Sequence, residues 1–182
     1  MFQTTPFVVF GDSEHVVQYP HVCAGENGLL AVYRSEGAAG TRELRAQRLA
    51  GSGEPVGASF LLQAIDTATG HFPNARCSGV PRQNEFVVTF SNYVAGGSRA
   101  NVFVQRYGAD AELQEERVIS EHTHWSSYSH VAPLGDGNVV VYGGSPTYPP
   151  RHIRYVRLDA NSEPIGGPKD VTGPPTQQGT LA

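Results

Sequence analysis

Apolar residues along this chain come in short, dense runs separated by glycine, proline and polar segments. The densest are Leu29-Leu30-Ala31-Val32-Tyr33, Phe86-Val87-Val88-Thr89-Phe90 and Val139-Val140-Val141-Tyr142. Each is too short for a buried helix and almost continuously apolar, which predicts a strand covered on both faces. Weaker stretches flank every run. Before them stand Pro20-His21-Val22-Cys23, residues 73–78 and His130-Val131-Ala132. After them come residues 44–49, 102–107 and 153–158, then Phe60-Leu61-Leu62, Arg117-Val118-Ile119 and Lys169-Asp170-Val171. The links from first to second members are Gly25-Glu26-Asn27-Gly28, residues 79–84 and Gly135-Asp136-Gly137, and they carry the glycines and acidic or amide residues that hairpin turns demand. A four-stranded antiparallel unit is thus predicted three times over.

A recurring motif marks the same period. Gln47-Arg48-Leu49 precedes Glu54-Pro55-Val56-Gly57, Gln105-Arg106-Tyr107 precedes Glu112-Leu113, and Arg157-Leu158-Asp159 precedes Glu163-Pro164-Ile165-Gly166. Copies roughly fifty residues apart are the mark of a repeat architecture. Approximate units 7–59, 60–116 and 117–172 make a single repeat domain over 1–182, with 173–182 a patternless tail. Phe7-Val8-Val9-Phe10 stands as far before Pro20 as Phe60 stands before Pro73, so it reads as a fourth strand without its own first three. A terminal strand of that kind closes a circular assembly and removes its open edges. Residues 109–117 are polar all round and fall where the other copies turn, so a longer turn followed by a strand is predicted there.

Composition agrees with this pattern and excludes several function classes. With 21 glycines, 13 prolines and 16% charged residues in 182, the chain has the makeup of an all-β, turn-rich protein. A net charge of -4 without a basic stripe argues against a nucleic-acid partner held through phosphates. No apolar run approaches the roughly 20 residues of a membrane-spanning helix, and residues 1–6 lack the pattern of a signal peptide. Cys23 and Cys77 follow Pro20 and Pro73 at matching places, which reads first as small buried side chains, with a disulfide as the lesser reading. Two cysteines without a CxxC spacing do not make a structural zinc site, and no GxSxG, HExxH, P-loop or dinucleotide fingerprint is present. Neither a cofactor nor a metal nor a catalytic residue is therefore expected.

Four-stranded units of this length are what β-propeller blades contain, and three units are also what a β-trefoil contains. The Asp136-Gly137 turn before Val139-Val140-Val141-Tyr142, the Gln-Arg pairs and the Glu-Pro-Val/Ile-Gly segments resemble the tandem repeat of bacterial surface proteins whose units are predicted to be β-propeller-like blades. The chain departs from that repeat where the family often has Trp, carrying Tyr33, Phe90 and Tyr142 instead. The resemblance implies an extracellular or cell-surface setting. It also implies a partner, because three blades are fewer than a closed propeller takes. A homodimer would make the chain half of a six-bladed ring; a longer parent chain or trefoil-like closure would serve instead. Tyr19-Pro20-His21 with Leu29-Leu30-Ala31-Val32-Tyr33-Arg34 is similar to the opening blade of sialidases, although the Asp-box turn of that family is missing.

In an up-and-down sheet the longer connections collect at one pole, and loops at such a pole are where binding groups concentrate. Here they are residues 12–18, 34–43, 66–72, 91–100, 121–128 and 143–152, and all seven histidines are expected toward that rim. Trp125, Tyr128, Tyr93 and Tyr148 supply aromatic faces there, and His122, His124, Arg99 and Arg151 supply polar groups. Aromatic faces beside fixed hydrogen-bonding groups suit a sugar ring, so these eight residues are the candidate ligand-binding set for a carbohydrate or surface polymer. The competing readings are that Trp125 and Tyr128 only cap the core, and that His122 and His124 with Glu121 and His130 hold a divalent metal. Arg48, Arg106 and Arg157 recur at one position and are expected to be braced by Glu54, Glu112 and Glu163 or by loop carbonyls. The expected function is a non-catalytic binding or assembly module. A sialidase-like hydrolase using Arg34, Arg99, Arg151, Tyr148 and Glu121 is the alternative, and a purely structural, self-assembling repeat is another.

Overall fold

In a computed structural model of the chain, the structure describes residues 15–37, 40–65, 73–80, 85–93, 100–120, 125–145 and 152–171. Every regular element among them is a strand. The first sheet is β1 (His15–Gly25), β2 (Gly28–Gly37), β3 (Arg42–Leu49) and β4 (Pro55–Ile65). The second is β5 (Arg76–Gly79), β6 (Phe86–Tyr93), β7 (Ala100–Tyr107) and β8 (Leu113–Val118). The third is β9 (Trp125–Leu134), β10 (Gly137–Ser145), β11 (His152–Leu158) and β12 (Lys169–Asp170). Each sheet is antiparallel with its strands in chain order, so the blade-like architecture is present three times. The trefoil alternative does not hold, since the described strands divide into separate four-stranded sheets.

The alternation of side chains explains how the sheets stack. In β6 and β7, Phe86, Val88, Phe90, Phe103 and Tyr107 face the first sheet, where they meet Leu30, Val32, Leu44 and Leu62. The intervening Val87, Val102 and Val104 face the third sheet and pack on Val140, Tyr142, Val156 and Leu158. The middle sheet is therefore covered on both sides, which is why its second strand reads as an unbroken apolar run. Burying these side chains supplies most of the driving force, at about 25 cal/mol for each Å2 of apolar surface removed from water.

The recurring motif has a local structural meaning. In the turns after β3, β7 and β11 the same pair of backbone hydrogen bonds forms: Ala50 N to Glu54 O, Gly108 N to Glu112 O and Asp159 N to Glu163 O, with a tighter bond inside each. The fourth residue of each turn is left-handed, at φ 92° for Gly53, 69° for Ala111 and 64° for Ser162. This is a turn followed by one αL residue, a standard hairpin solution. Residues 108–112 thus form a turn of the same length as the other two, not the longer one expected, and the expected strand follows it as β8.

Several expectations are corrected. Arg106 pairs with Glu85, its Nε 2.7 Å from the carboxylate, and Glu163 pairs with Arg117. Arg106 and Glu163 therefore do not pair with the recurring partners expected for them; the backbone carbonyl of each recurring glutamate closes its turn. The expected loop 34–43 is mostly strand, because Arg34, Ser35 and Glu36 stay paired with Leu44, Glu43 and Arg42. Cys23 and Cys77 are joined by a disulfide with Cα atoms 5.7 Å apart, so the lesser reading is the one that holds. Both cysteines do face the core as expected, but on opposing sheets, which is what brings their sulfurs together. The segment 7–10 and the tail 173–182 lie outside the described residues.

Candidate functional site: the axial cleft

The first strands of the three sheets, β1, β5 and β9, converge on one cleft. Its volume is about 590 Å3, and its walls come from His21, Val22 and Cys23, from Cys77 to Val80, and from Val131 to Pro133. Glycine makes the convergence close. A Cβ on Gly79 would run into the Ala24 carbonyl oxygen, and one on Gly25 into the Phe86 ring. The disulfide crosses the same wall and ties β1 to β5.

Two of the three strands carry the same irregularity. Tyr19 and Pro20 bulge opposite Tyr33, because pairing jumps from Gln18–Arg34 to His21–Val32. Tyr128 and Ser129 bulge opposite Tyr142, because pairing jumps from Ser127–Gly143 to His130–Val141. Two residues facing one is the definition of a β-bulge, a device that re-aims side chains. Both tyrosines pay for it with left-handed backbones, φ 53° and 54°. Bulky residues rarely adopt that conformation, and strain of this kind concentrates at binding and active sites. Its consequence here is exposure: Tyr19 keeps 52% and Tyr128 73% of its surface open to solvent. Tyr19 is backed by the Arg34 guanidinium, 4.7 Å from the ring centroid, and Arg34 is itself held by the Gln18 side chain.

Two residues beyond each bulged tyrosine stands a histidine. His21 accepts a hydrogen bond at Nδ1 from the Cys77 backbone N–H at 3.3 Å, which places its proton on Nε2 and keeps the ring neutral. Burial lowers the pKa of His21 first, and the nearby Arg76 and His130 charges lower it further. For His130 burial again leads and Arg76 follows. The His21 bond joins β1 to β5, and β5 in turn packs against β9. Near the bulge in β9, the buried hydroxyls of Ser126 and Ser129 have no hydrogen-bond partner among the described residues, and such groups ordinarily take ordered water.

The expected ligand set is only partly within view. His122, His124, Arg99, Tyr148 and Arg151, with Glu121 and His71, lie outside the described residues. Trp125 opens β9 and Tyr93 closes β6, both at the long-loop pole, and Tyr128 is the exposed bulge residue. His15 and His152 begin strands at that pole, whereas His21 and His130 stand inside their strands because pairing continues through each bulge. Arg76 and the paired tyrosine geometry were not anticipated. One signal was available: Tyr19-Pro20-His21 and Tyr128-Ser129-His130 share a Tyr-x-His spacing at the same place before an apolar strand.

No family model matches the chain, and no curated protein does. Solved structures do resemble it in shape. A subtype N10 neuraminidase-like protein of A/little yellow-shouldered bat/Guatemala matches with a TM-score of 0.56 at 13% identity, over 93% of this chain and 48% of that one. A neuraminidase-like protein from A/bat/Guatemala matches with a TM-score of 0.54 at 12% identity, over 87% of this chain and 42% of that one. The chain thus spans about half the length of these structures. At such identity the likeness establishes a propeller fold and nothing finer.

Proposed function

We propose that this chain is a non-catalytic propeller module that binds a carbohydrate or surface polymer at its long-loop pole. The observation that carries the reading is the twin bulge. Tyr19 and Tyr128 are held outward at equivalent positions, at a conformational cost that core packing does not require. Aromatic faces fixed beside imidazoles offer stacking to the C–H face of a sugar and hydrogen bonds to its hydroxyls. Trp125, Tyr93 and the loop residues His122, His124, Arg99, Tyr148 and Arg151 extend this surface in the reading. Hydrolysis fits less well. The sialidase-type alternative relies on a tyrosine nucleophile rather than a carboxylate pair, and its Arg99, Glu121, Tyr148 and Arg151 lie outside the described residues. Arg34, a residue of the hydrolase alternative, is nearly buried behind Tyr19.

An extracellular or cell-surface setting, as in the bacterial repeat proteins it resembles, belongs to the same reading, because a disulfide such as Cys23–Cys77 persists in oxidising compartments. A glycan array with the intact chain tests binding. Tyr128→Ala and Tyr19→Ala are expected to abolish it while leaving the melting temperature nearly unchanged; retained binding in both variants sinks the proposal.

A second reading concerns assembly, and a specific observation favours it. Val22 and Leu61 on the first sheet, and Leu134 and Ile153 on the third, are exposed apolar side chains on the faces turned away from the middle sheet. A closed propeller covers such faces with further blades and takes four to eight in all. A second copy of this chain would complete a ring of six. Light scattering that returns a monomer at micromolar concentration rules this out.

A further inference from the structure

The two sulfurs of the Cys23–Cys77 disulfide stand in unlike surroundings. His21 and Cys23 are two residues apart on β1, beyond the bulge, and so share one face of the strand. That face meets Cys77 on β5. The His21 ring accepts from the Cys77 N–H at 3.3 Å, and the same Nδ1 stands 3.6 Å from the Cys77 sulfur. Cys77 is the inner partner, with 2% of its surface open, whereas Cys23 is half-buried. All three residues line the axial cleft, whose volume of about 590 Å3 is of the size that small molecules occupy. The bond thus joins a residue that solvent reaches to one that it does not, and the inner one has an imidazole beside its sulfur.

The seam does not need the bond to keep the two residues opposed. Gly79 lies against the Ala24 carbonyl and Gly25 against the Phe86 ring so closely that neither has room for a Cβ. Around them Leu30, Val88 and Phe90 belong to one buried cluster with Cys77. If the crosslink opens, its sulfurs stay face to face and the bond can form again.

We infer that Cys23–Cys77 is a thiol–disulfide exchange site, at which a small thiol entering the cleft attacks Cys23 Sγ while Cys77 departs beside His21. The inference goes beyond the binding reading above and does not rest on it. The attacking thiol loses its proton as its sulfur bonds to Cys23 Sγ. The Cys23–Cys77 bond breaks with its electron pair on Cys77 Sγ, and the proton ends between that sulfur and His21 Nδ1. A second molecule of the thiol then attacks the mixed disulfide, releases Cys23 as a thiol and leaves joined to the first. The two thiols are oxidised to their disulfide and the protein disulfide is reduced. His21 sets the order of events, because a thiol beside an imidazole gives up its proton more readily, and the sulfur with the lower proton affinity is the better leaving group.

The test holds the intact, folded chain in a cysteine–cystine buffer, quenches by alkylation and maps the products by mass spectrometry. A mixed disulfide with one cysteine molecule is expected at Cys23, formed faster than global unfolding as timed by hydrogen exchange in the same buffer. His21→Asn keeps an acceptor for the Cys77 N–H but no group that takes up a proton. It is expected to leave the melting temperature of the oxidised chain nearly unchanged and to slow exchange on the order of ten-fold, the size of one hydrogen bond to a charged group. Exchange no faster than unfolding would mean a sealed crosslink and overturns the site. A cysteine molecule carried on Cys77 overturns it too, as does a His21→Asn chain that exchanges like its parent. Should that variant not fold, the parent still decides through the position of the mixed disulfide and the rate at which it forms. None of these outcomes bears on saccharide binding, which stands or falls by the glycan array.

Discussion

The two seams between blades are built from different materials. Between the first and middle sheets the contact is aromatic and covalently tied: Phe60 lies 5.3 Å from Tyr107, Cys23 is bonded to Cys77, and Phe90 stacks on its own-sheet neighbour Phe103 at 5.4 Å on the face turned to the first sheet. Burial and the Glu116 charge also push the Tyr107 phenol upward, keeping it protonated to donate to Gln105 at 2.8 Å. Between the middle and third sheets the contact is mostly aliphatic, with Val87, Val102, Val104 and Ile119 against Val140, Val156, Leu158 and a single ring, Tyr142. No crosslink is available to this seam, because the two cysteines of the chain are joined across the other one. One seam is thus fixed by large rings and a crosslink, while the other rests on many small, interchangeable contacts. His21 belongs to the tied seam, where its ring accepts from the Cys77 N–H.

The largest test of this contrast is Phe90→Ala in the aromatic seam. Its ring is fully buried and stacked, so truncation is expected to cost about 3 to 5 kcal/mol in chemical denaturation. A loss below that of an aliphatic truncation would erase the distinction. Next comes removal of the crosslink through Cys23→Ala with Cys77→Ala, expected to cost about 2 to 4 kcal/mol by freeing the unfolded chain. If a reductant leaves the denaturation midpoint of the parent unchanged, the tie contributes nothing to the seam. Val140→Ala in the aliphatic seam is expected to cost about 2 kcal/mol, the loss of two methyl groups plus a small cavity.

The smallest effect is a dependence on pH. His21 and His130 hold protons less tightly when folded, because of burial and then Arg76. As pH falls below about 6.5, the unfolded chain takes up protons first and binds more of them than the folded one. Stability therefore declines with falling pH until the folded imidazoles protonate as well. Denaturation midpoints taken on either side of that value read the decline, and Arg76→Gln is expected to shrink it. A midpoint indifferent to pH would show that the axial groups are not coupled to folding.

Much of the framework was legible along the chain because it depends on local chemistry. The apolar runs at 29–33, 86–90 and 139–142 became β2, β6 and β10, since buried strands need continuous apolar character. The recurring motif became one repeated turn, since the chain there must supply a left-handed residue and a carbonyl at fixed offsets. Other features were not legible. Arg34, Ser35 and Glu36 look like loop, yet they extend β2, because backbone pairing with β3 asks nothing of their side chains. The bulges were hidden as well, because a residue count along one strand does not reveal how many residues face it on the next.

What the order of residues settled was the kind of element, the hairpin turns and the alternation that turns one set of side chains to each neighbouring sheet. These follow from spacings of a few residues, where covalent geometry and burial act directly. Only the packed molecule joined Cys23 to Cys77 across 54 positions and set the His21 ring against the Cys77 N–H. Their neighbours along the chain do not say which residues meet, because what matters is distance in space between strands from different sheets, and that distance is set by how the blades stack.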